Sequence, residues 1–174
     1  MTAPLTAAPT LRTERLVLRG PERGDLPALT AFITASPRMT TLGGNGTAVE
    51  AWRAFLTNVG RWQTDGFGFF TLTRHDDPAP LGRVGLLSYP TPEAAPEVEL
   101  AWHLFDGAEG HGYVVEAATA IRPWARSAHG LGRLVSYIDP ANARSQATAR
   151  RLGAATDGAR AAHDPQCEVW EHPA

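Results

Sequence analysis

Lysine is missing from this chain of 174 residues, and its 16 basic side chains are all arginines. We read that as coding bias toward arginine and alanine. Against 18 acidic residues they leave a formal net charge of −2, so bulk electrostatics gives no reason to bind nucleic acid. Cysteine is almost as scarce. The lone Cys167 excludes an intrachain disulfide and suits a reducing, cytoplasmic setting. Its spacing from His163 and His172 fits no standard zinc pattern, so no metal is expected. A Gly-x-Ser-x-Gly nucleophile elbow and internal repeats are also lacking. Residues 1–10 are rich in Ala, Pro and Thr, with neither a basic start nor a long apolar run. They read as a flexible tail, and not as a signal peptide or a membrane span. What remains, 43% hydrophobic and 20% charged, is expected to form a single domain over residues 11–174.

Apolar spacing organises that domain. Residues 16–18 read as a strand ended by Gly20-Pro21. Asp25 is placed to cap a helix with Leu26, Leu29, Phe32 and Ile33 on one stripe, Pro27 being tolerated in its first turn. Residues 41–46 form a glycine-rich loop, expected to act as a flap over a substrate. Thr47 and Glu50 then make a capping box for a helix predicted to turn Val49, Trp52, Leu56 and Val59 inward. Residues 67–74, 81–89 and 97–105 read as strands, the first two joined as a hairpin through Asp76-Asp77-Pro78. The proline-laden residues 90–96 read as a stiff connection. A third helix carries Val114, Ala118, Ile121 and Ala125, with a kink or early end predicted at Pro123. A strand over 133–139, a helix over 142–152 and a last strand near 168–170 complete the chain. The order predicts an α/β (α+β) layer with a mixed, mostly antiparallel sheet.

Two strand-to-helix junctions carry the chemistry. The first is Asp106-Gly107-Ala108-Glu109-Gly110-His111-Gly112-Tyr113. The opening amides of a helix have no intrahelical acceptor, and the peptide dipoles add positive charge there. Gly110 and Gly112 lack Cβ atoms, so their backbone can close on a pyrophosphate, although such turns also serve as plain connections. The second junction is Ile138-Asp139-Pro140-Ala141-Asn142-Ala143-Arg144-Ser145, whose helix stops at Arg151-Leu152-Gly153. On its own it reads as ordinary punctuation, with Asn142 an N-cap and Gly153 a C′ glycine.

The succession strand, Gly-x-Gly, helix, strand, Asn-x-x-Ser, helix, Leu-Gly resembles the acetyl-CoA-binding half of the GNAT N-acetyltransferases. It is most similar to the Rim-type branch that acetylates ribosomal-protein N-termini. Thr13-Glu14-Arg15-Leu16-Val17-Leu18-Arg19 with Asp25-Leu26 resembles the opening strand and helix of that branch. Gly66-Phe67-Gly68-Phe69-Phe70, Leu81-Gly82-Arg83-Val84-Gly85 and Glu97-Val98-Glu99-Leu100-Ala101-Trp102 resemble its next strands. The resemblance implies a GNAT-like sheet with a splayed parallel strand pair. It also implies an acetyl-CoA-dependent N-acetyltransferase that acts by direct attack in a ternary complex. The acceptor would be a protein N-terminus or a small amine; neither nucleic acid nor membrane is an expected partner, and a homodimer stays open. The rival is a degenerate domain that binds an acyl-CoA or a protein without turnover.

Residue by residue, the resemblance implies that His103, Leu104 and Phe105 supply backbone bonds to pantetheine and the thioester carbonyl. The pyrophosphate would rest on Gly110, His111, Gly112, Tyr113 and Val114. Asn142 would reach the pantetheine arm, and Ser145 would orient the cofactor or act as the acid. For the base we favour Glu99. Strand alternation puts Glu97, Glu99 and His103 on one face and Val98, Leu100 and Trp102 on the other. A carboxylate there takes a proton directly or through water, and burial raises its pKa. The alternative is that Glu97 and Glu99 line a solvated face. Two departures from the family stand out: Gly107, where it carries Gln or Arg, and the absence of any tyrosine after Tyr137. With His111 between the loop glycines, cofactor binding is expected to weaken above neutral pH.

Overall fold

Leu16 and Leu18 are fully buried while Val17 and Arg19 are not, the alternation of a strand with one face on a core. The computed structural model describes residues 8–89 and 97–173, and in it the three central strands of the sheet are instead buried on runs of consecutive residues, as strands covered on both faces are. The predicted connection at 90–96 and most of the predicted tail lie outside the described residues. Strands β1 (Leu11–Arg12), β2 (Leu16–Arg19), β3 (Phe69–Arg74), β4 (Gly82–Tyr89) and β5 (Glu97–Leu104) pair antiparallel in chain order. β6 (Val135–Ile138) lies parallel to β5, and β7 (Glu168–Glu171) antiparallel to β6. The sheet is thus mixed, mostly antiparallel, with one parallel pair, as expected. That pair is in register only at Glu99 and Val135, so β5 runs on toward Leu104 with a free edge.

Helix α3 (Tyr113–His129) covers one face of the sheet. Its Val114, Ala117, Ala118, Ile121 and Ala125 share a buried cluster with Leu18, Phe70, Leu72, Val84, Leu86 and Leu100. Helices α1 (Leu26–Ala35) and α2 (Ala48–Thr64) form a second cluster around Leu29, Phe32, Ile33 and Phe55. Helix α4 (Ala143–Arg151) starts beside β6. Among the described residues no helix is long and apolar enough to cross a membrane.

Three expectations need correction, and one strand went unforeseen. Asp25 occupies the α1 N-cap position but makes no side-chain cap bond. Its buried carboxylate instead accepts from Arg19 at 2.7 and 2.9 Å, from Thr71 at 2.8 Å and from the Glu22 amide at 2.9 Å. It clamps α1 to the sheet. In α2 the Thr47–Glu50 capping box forms, but the buried stripe is Ala51, Phe55, Asn58 and Trp62, while Val49 and Leu56 are 57% and 47% exposed. The start of β3 decides this: Asn58 brackets Phe69, donating to its carbonyl at 3.1 Å and accepting from its amide at 2.7 Å. Trp62 donates to the same carbonyl at 3.1 Å. Pro123 does not end α3, which continues to His129. Trp124, edge-on to Phe70 at 5.2 Å, and the fully buried Ala125 hold the later turns in place. Lastly, β1 was not foreseen, because two residues are too few for alternation to register.

Candidate active site

Where β5 and β6 part, the sheet opens into a cleft of about 390 Å³. Its floor is β5 from Glu99 to His103, and Tyr137, Asn142 and Ser145 stand on one side. The loop at Leu42 and Gly43 and the stretch holding His163 and Cys167 also line it.

Glu99 is 9% exposed, so it does not belong to a solvated face. Burial pushes its pKa up to about 7, against the pull of hydrogen bonds from the Tyr89 hydroxyl and the Tyr137 amide and of the Arg61 charge. The Tyr89 hydroxyl donates at 3.1 Å. Glu97, two residues earlier, has the opposite fate. Burial would raise it, but hydrogen bonds from the Tyr137 hydroxyl and Arg133 outweigh that and hold it below the usual carboxylate range. Neighbouring carboxylates are thus set apart, one firmly ionised and one poised near neutrality.

Around them sits an aromatic cluster that the sequence reading did not single out. His163 stacks on Tyr89 with centroids 4.0 Å apart and meets the edge of Tyr137 at 4.4 Å. Burial, with the charge of Glu99, raises the Tyr89 hydroxyl, and burial with the bond to Glu97 raises that of Tyr137, so both stay phenols. Burial, with a hydrogen bond to Asp164, pushes the Cys167 thiol up to about 12. Nothing local in the sequence marks these residues; the register of β4 on β5 sets Tyr89 opposite Glu97 and Leu87 opposite Glu99. His172 lies apart from the cleft, buried, with Nε2 2.8 Å from Ser136 Oγ. Among the described residues no group of three or more His, Cys, Asp or Glu is arranged to hold a metal ion.

At the far end of the floor, Arg83 Nε donates to His103 Nδ1 at 3.0 Å, and its guanidinium lies over Phe69, 4.5 Å from the ring centroid. Burial, together with the charges of Arg83 and Arg38, holds His103 well below the usual imidazole range, so it is neutral. The Phe105 amide bonds to Leu81 O at 2.8 Å, and Arg38 donates to Leu104 O at 2.6 Å. By ladder alternation the free edge of β5 presents the backbone of Trp102 and Leu104. Ser145 Oγ accepts from Trp102 Nε1 at 3.3 Å. Asn142 Oδ1 accepts from the Ser145 amide at 3.1 Å, so Asn142 is an N-cap as well as a lining residue.

The glycine loop stands just beyond β5. Gly110 and Gly112 have φ of +80° and +77°, a conformation costly for any residue with a Cβ. No packing contact demands them. A Cβ would meet nothing within 4 Å at Gly110, and only Arg15 Nη2 at 3.8 Å at Gly112. Among the described residues no acceptor bonds the amides of Gly110, Gly112, Tyr113 or Val114. The side chains of Tyr113 and Val114 are buried, leaving backbone as the exposed material. His111 packs on Tyr113 at 5.3 Å. Ser36 Oγ braces the loop by donating to Asp106 at 2.7 Å, and Arg38 pairs with Glu109 at 3.3 Å. Arg15, bonded to Glu116 at 2.7 Å, stands beside the helix start. Open, amide-lined and next to a cation, this corner fits a diphosphate.

A GNAT acetyltransferase domain model matches residues 15–155. Among solved structures, an acetyltransferase from Agrobacterium tumefaciens is 36% identical, with a TM-score of 0.87 over 100% of this chain and 99% of its own. A protein described as a GNAT-family acetyltransferase from Bordetella pertussis is 24% identical, with a TM-score of 0.77 over 95% and 99%. The ribosomal L7/L12 alpha-N-protein acetyltransferase RimL, in complex with coenzyme A, shares the fold at 15% identity and a TM-score of 0.70, over 95% and 98%. A search of curated proteins returns no match.

Proposed function

Because the chain belongs to the GNAT acetyltransferase family, whose acyl donor is acetyl-CoA, we propose that it acetylates a primary amine by direct attack in a ternary complex. The observation that carries this reading is Glu99, buried at the single point where β5 and β6 are paired and poised near pH 7. Acetyl-CoA supplies a thioester carbonyl open to acyl transfer. The amides from Gly110 to Val114 hold its diphosphate, and the edge backbone of Trp102, with the amide of Leu104, takes the pantetheine arm, the Leu104 carbonyl being held by Arg38. Asn142 and Ser145 border that path. His103 and Phe105 serve by shaping β5.

Glu99 takes the proton from the incoming ammonium, directly or through a water. An α-ammonium has a pKa of about 7.7–8.0, close enough to Glu99 for the transfer to cost little. The departing thiolate needs little help, since a free thiol has a pKa of about 8.5. That matters here because Tyr89, Tyr137 and Cys167 all hold their protons firmly. Protein N-termini are the favoured acceptors, in keeping with the fold shared with RimL. Thiol release from acetyl-CoA, measured with N-terminal peptides, polyamines and amino acids, tests the reading. Acetyl-CoA binding without turnover on any amine would leave the degenerate binding module in its place.

A further inference from the structure

Arg83 is a cation without an anion. Arg15, Arg19 and Arg133 each pair with a carboxylate at 2.7 Å or less, but among the described residues no carboxylate forms an ion pair with Arg83. Its partners are a neutral imidazole and a phenyl face. Burial draws its pKa down to about 10, which leaves it charged at neutral pH. The guanidinium is only partly enclosed at the cleft wall, and the Phe69 face offsets part of what that enclosure costs its hydration. The side chain lines the cleft, where its terminal nitrogens have no partner among the described residues. His103 adds a second donor. Its Nδ1 accepts from Arg83, so the ring proton sits on Nε2. A planar fork with an adjacent N–H is built to grip a carboxylate at two points.

Distance narrows the ligand. Arg83 is in register with His103, four residues along β5 from Glu99, a span of about 13 Å at roughly 3.3 Å per residue. A free amino acid holds its amine and carboxylate too close together to bridge that gap. An extended peptide advances about 3.3–3.6 Å per residue. With its terminal amine at Glu99, its third and fourth residues lie about 7–11 Å along, and an Asp or Glu side chain there covers the remaining distance to the guanidinium. We propose that Arg83, with His103, selects peptide acceptors carrying Asp or Glu at the third or fourth position. This deepens the N-acetyltransferase reading and rests on it for the place of the amine.

The test uses penta-alanine amide and its versions with one glutamate at position 2, 3, 4 or 5. Binding is measured by calorimetry in saturating coenzyme A, and turnover separately by thiol release. Glutamate at position 3 or 4 is expected to tighten binding about tenfold, as one charge-assisted contact would. Arg83→Gln should bring those peptides down to the affinity of penta-alanine while leaving the KM for acetyl-CoA unchanged. Arg83→Lys, which keeps the charge without the fork, should retain part of the preference. Equal binding of all peptides by the wild type, no binding of any, or a preference that survives Arg83→Gln overturns the proposal. Should Arg83→Gln fail to fold, the wild-type series and Arg83→Lys decide. Selective binding without thiol release upholds the anion site and sinks the transferase reading, whereas unselective turnover does the reverse.

Discussion

The two halves of the site are made of different material. At the start of α3 the proposed binding groups are backbone amides, exposed because two glycines open the turn and the neighbouring side chains are buried. Around Glu99 the groups proposed to act are side chains from β4, β5, β6 and the stretch before β7. The first half is built within eight consecutive residues. The second is assembled from segments as far apart in sequence as Tyr89 and Cys167, and its chemistry comes from burial. Backbone sites hold what every ligand of a class shares, and side-chain sites decide what is done and to whom.

Glu99→Gln should divide the halves most sharply. A loss of about 10²–10⁴ in kcat is expected, with the acetyl-CoA KM nearly unchanged. Wild-type turnover across pH would remove Glu99 from the mechanism. The same variant checks the burial argument without any substrate. Glu99 has a folded pKa of about 7 against an ordinary 4.5. Its folded state therefore binds the proton more tightly, and that contribution to stability is full below pH 4.5 and lost as pH rises through 7. Thermal unfolding should show wild type losing ground to Glu99→Gln over that window, and parallel curves would contradict it.

Next in size, Gly112→Ala attacks the other half. At φ of +77° an alanine costs about 1–2 kcal/mol. Weaker coenzyme A binding by about tenfold is expected, with the pH profile of the acceptor step unmoved. A shifted profile would mean that the halves are coupled. In wild type, kcat/KM for the acceptor should climb as pH rises through about 7, because only the ionised Glu99 accepts a proton. Tyr89→Phe removes a bond that favours that ionised form, so this limb should move to higher pH. A limb that stays put would mean that another group sets it. Smallest is Ser145→Ala, which loses one 3.3 Å contact from Trp102. A change of no more than about threefold in the acetyl-CoA KM is expected, and a collapse of kcat would instead make Ser145 the acid.

Much of the fold was legible because strand and helix periods are local. The capping box, the hairpin at Asp76-Asp77-Pro78 and the last strand all came from neighbouring residues, whereas the parallel pair came from the family resemblance. What misled was tertiary. In α2 two stripes share helical spacing, and the buried one contains Asn58, a polar residue whose value appears only against Phe69. Asp25 looked like a cap because its spacing suits one, whereas its carboxylate is turned toward Arg19 on β2 and toward Thr71, 46 positions away. For the same reason the glycine loop stood out at once, whereas Tyr89, Tyr137, His163 and Arg83 did not. Each is an ordinary residue in its own segment, and only the register of β4 on β5 and the return of the chain before β7 bring them together.

One detail of the sheet reaches further than its size. With β5 and β6 in register at Glu99 and Val135 alone, the ladder between strands one to five and the final pair is a single residue long. An acyl carrier entering the gap beyond that residue would displace no ladder bonds. A proton acceptor at Glu99 would stand at the closed apex of the gap, on a strand held by backbone pairing on both sides.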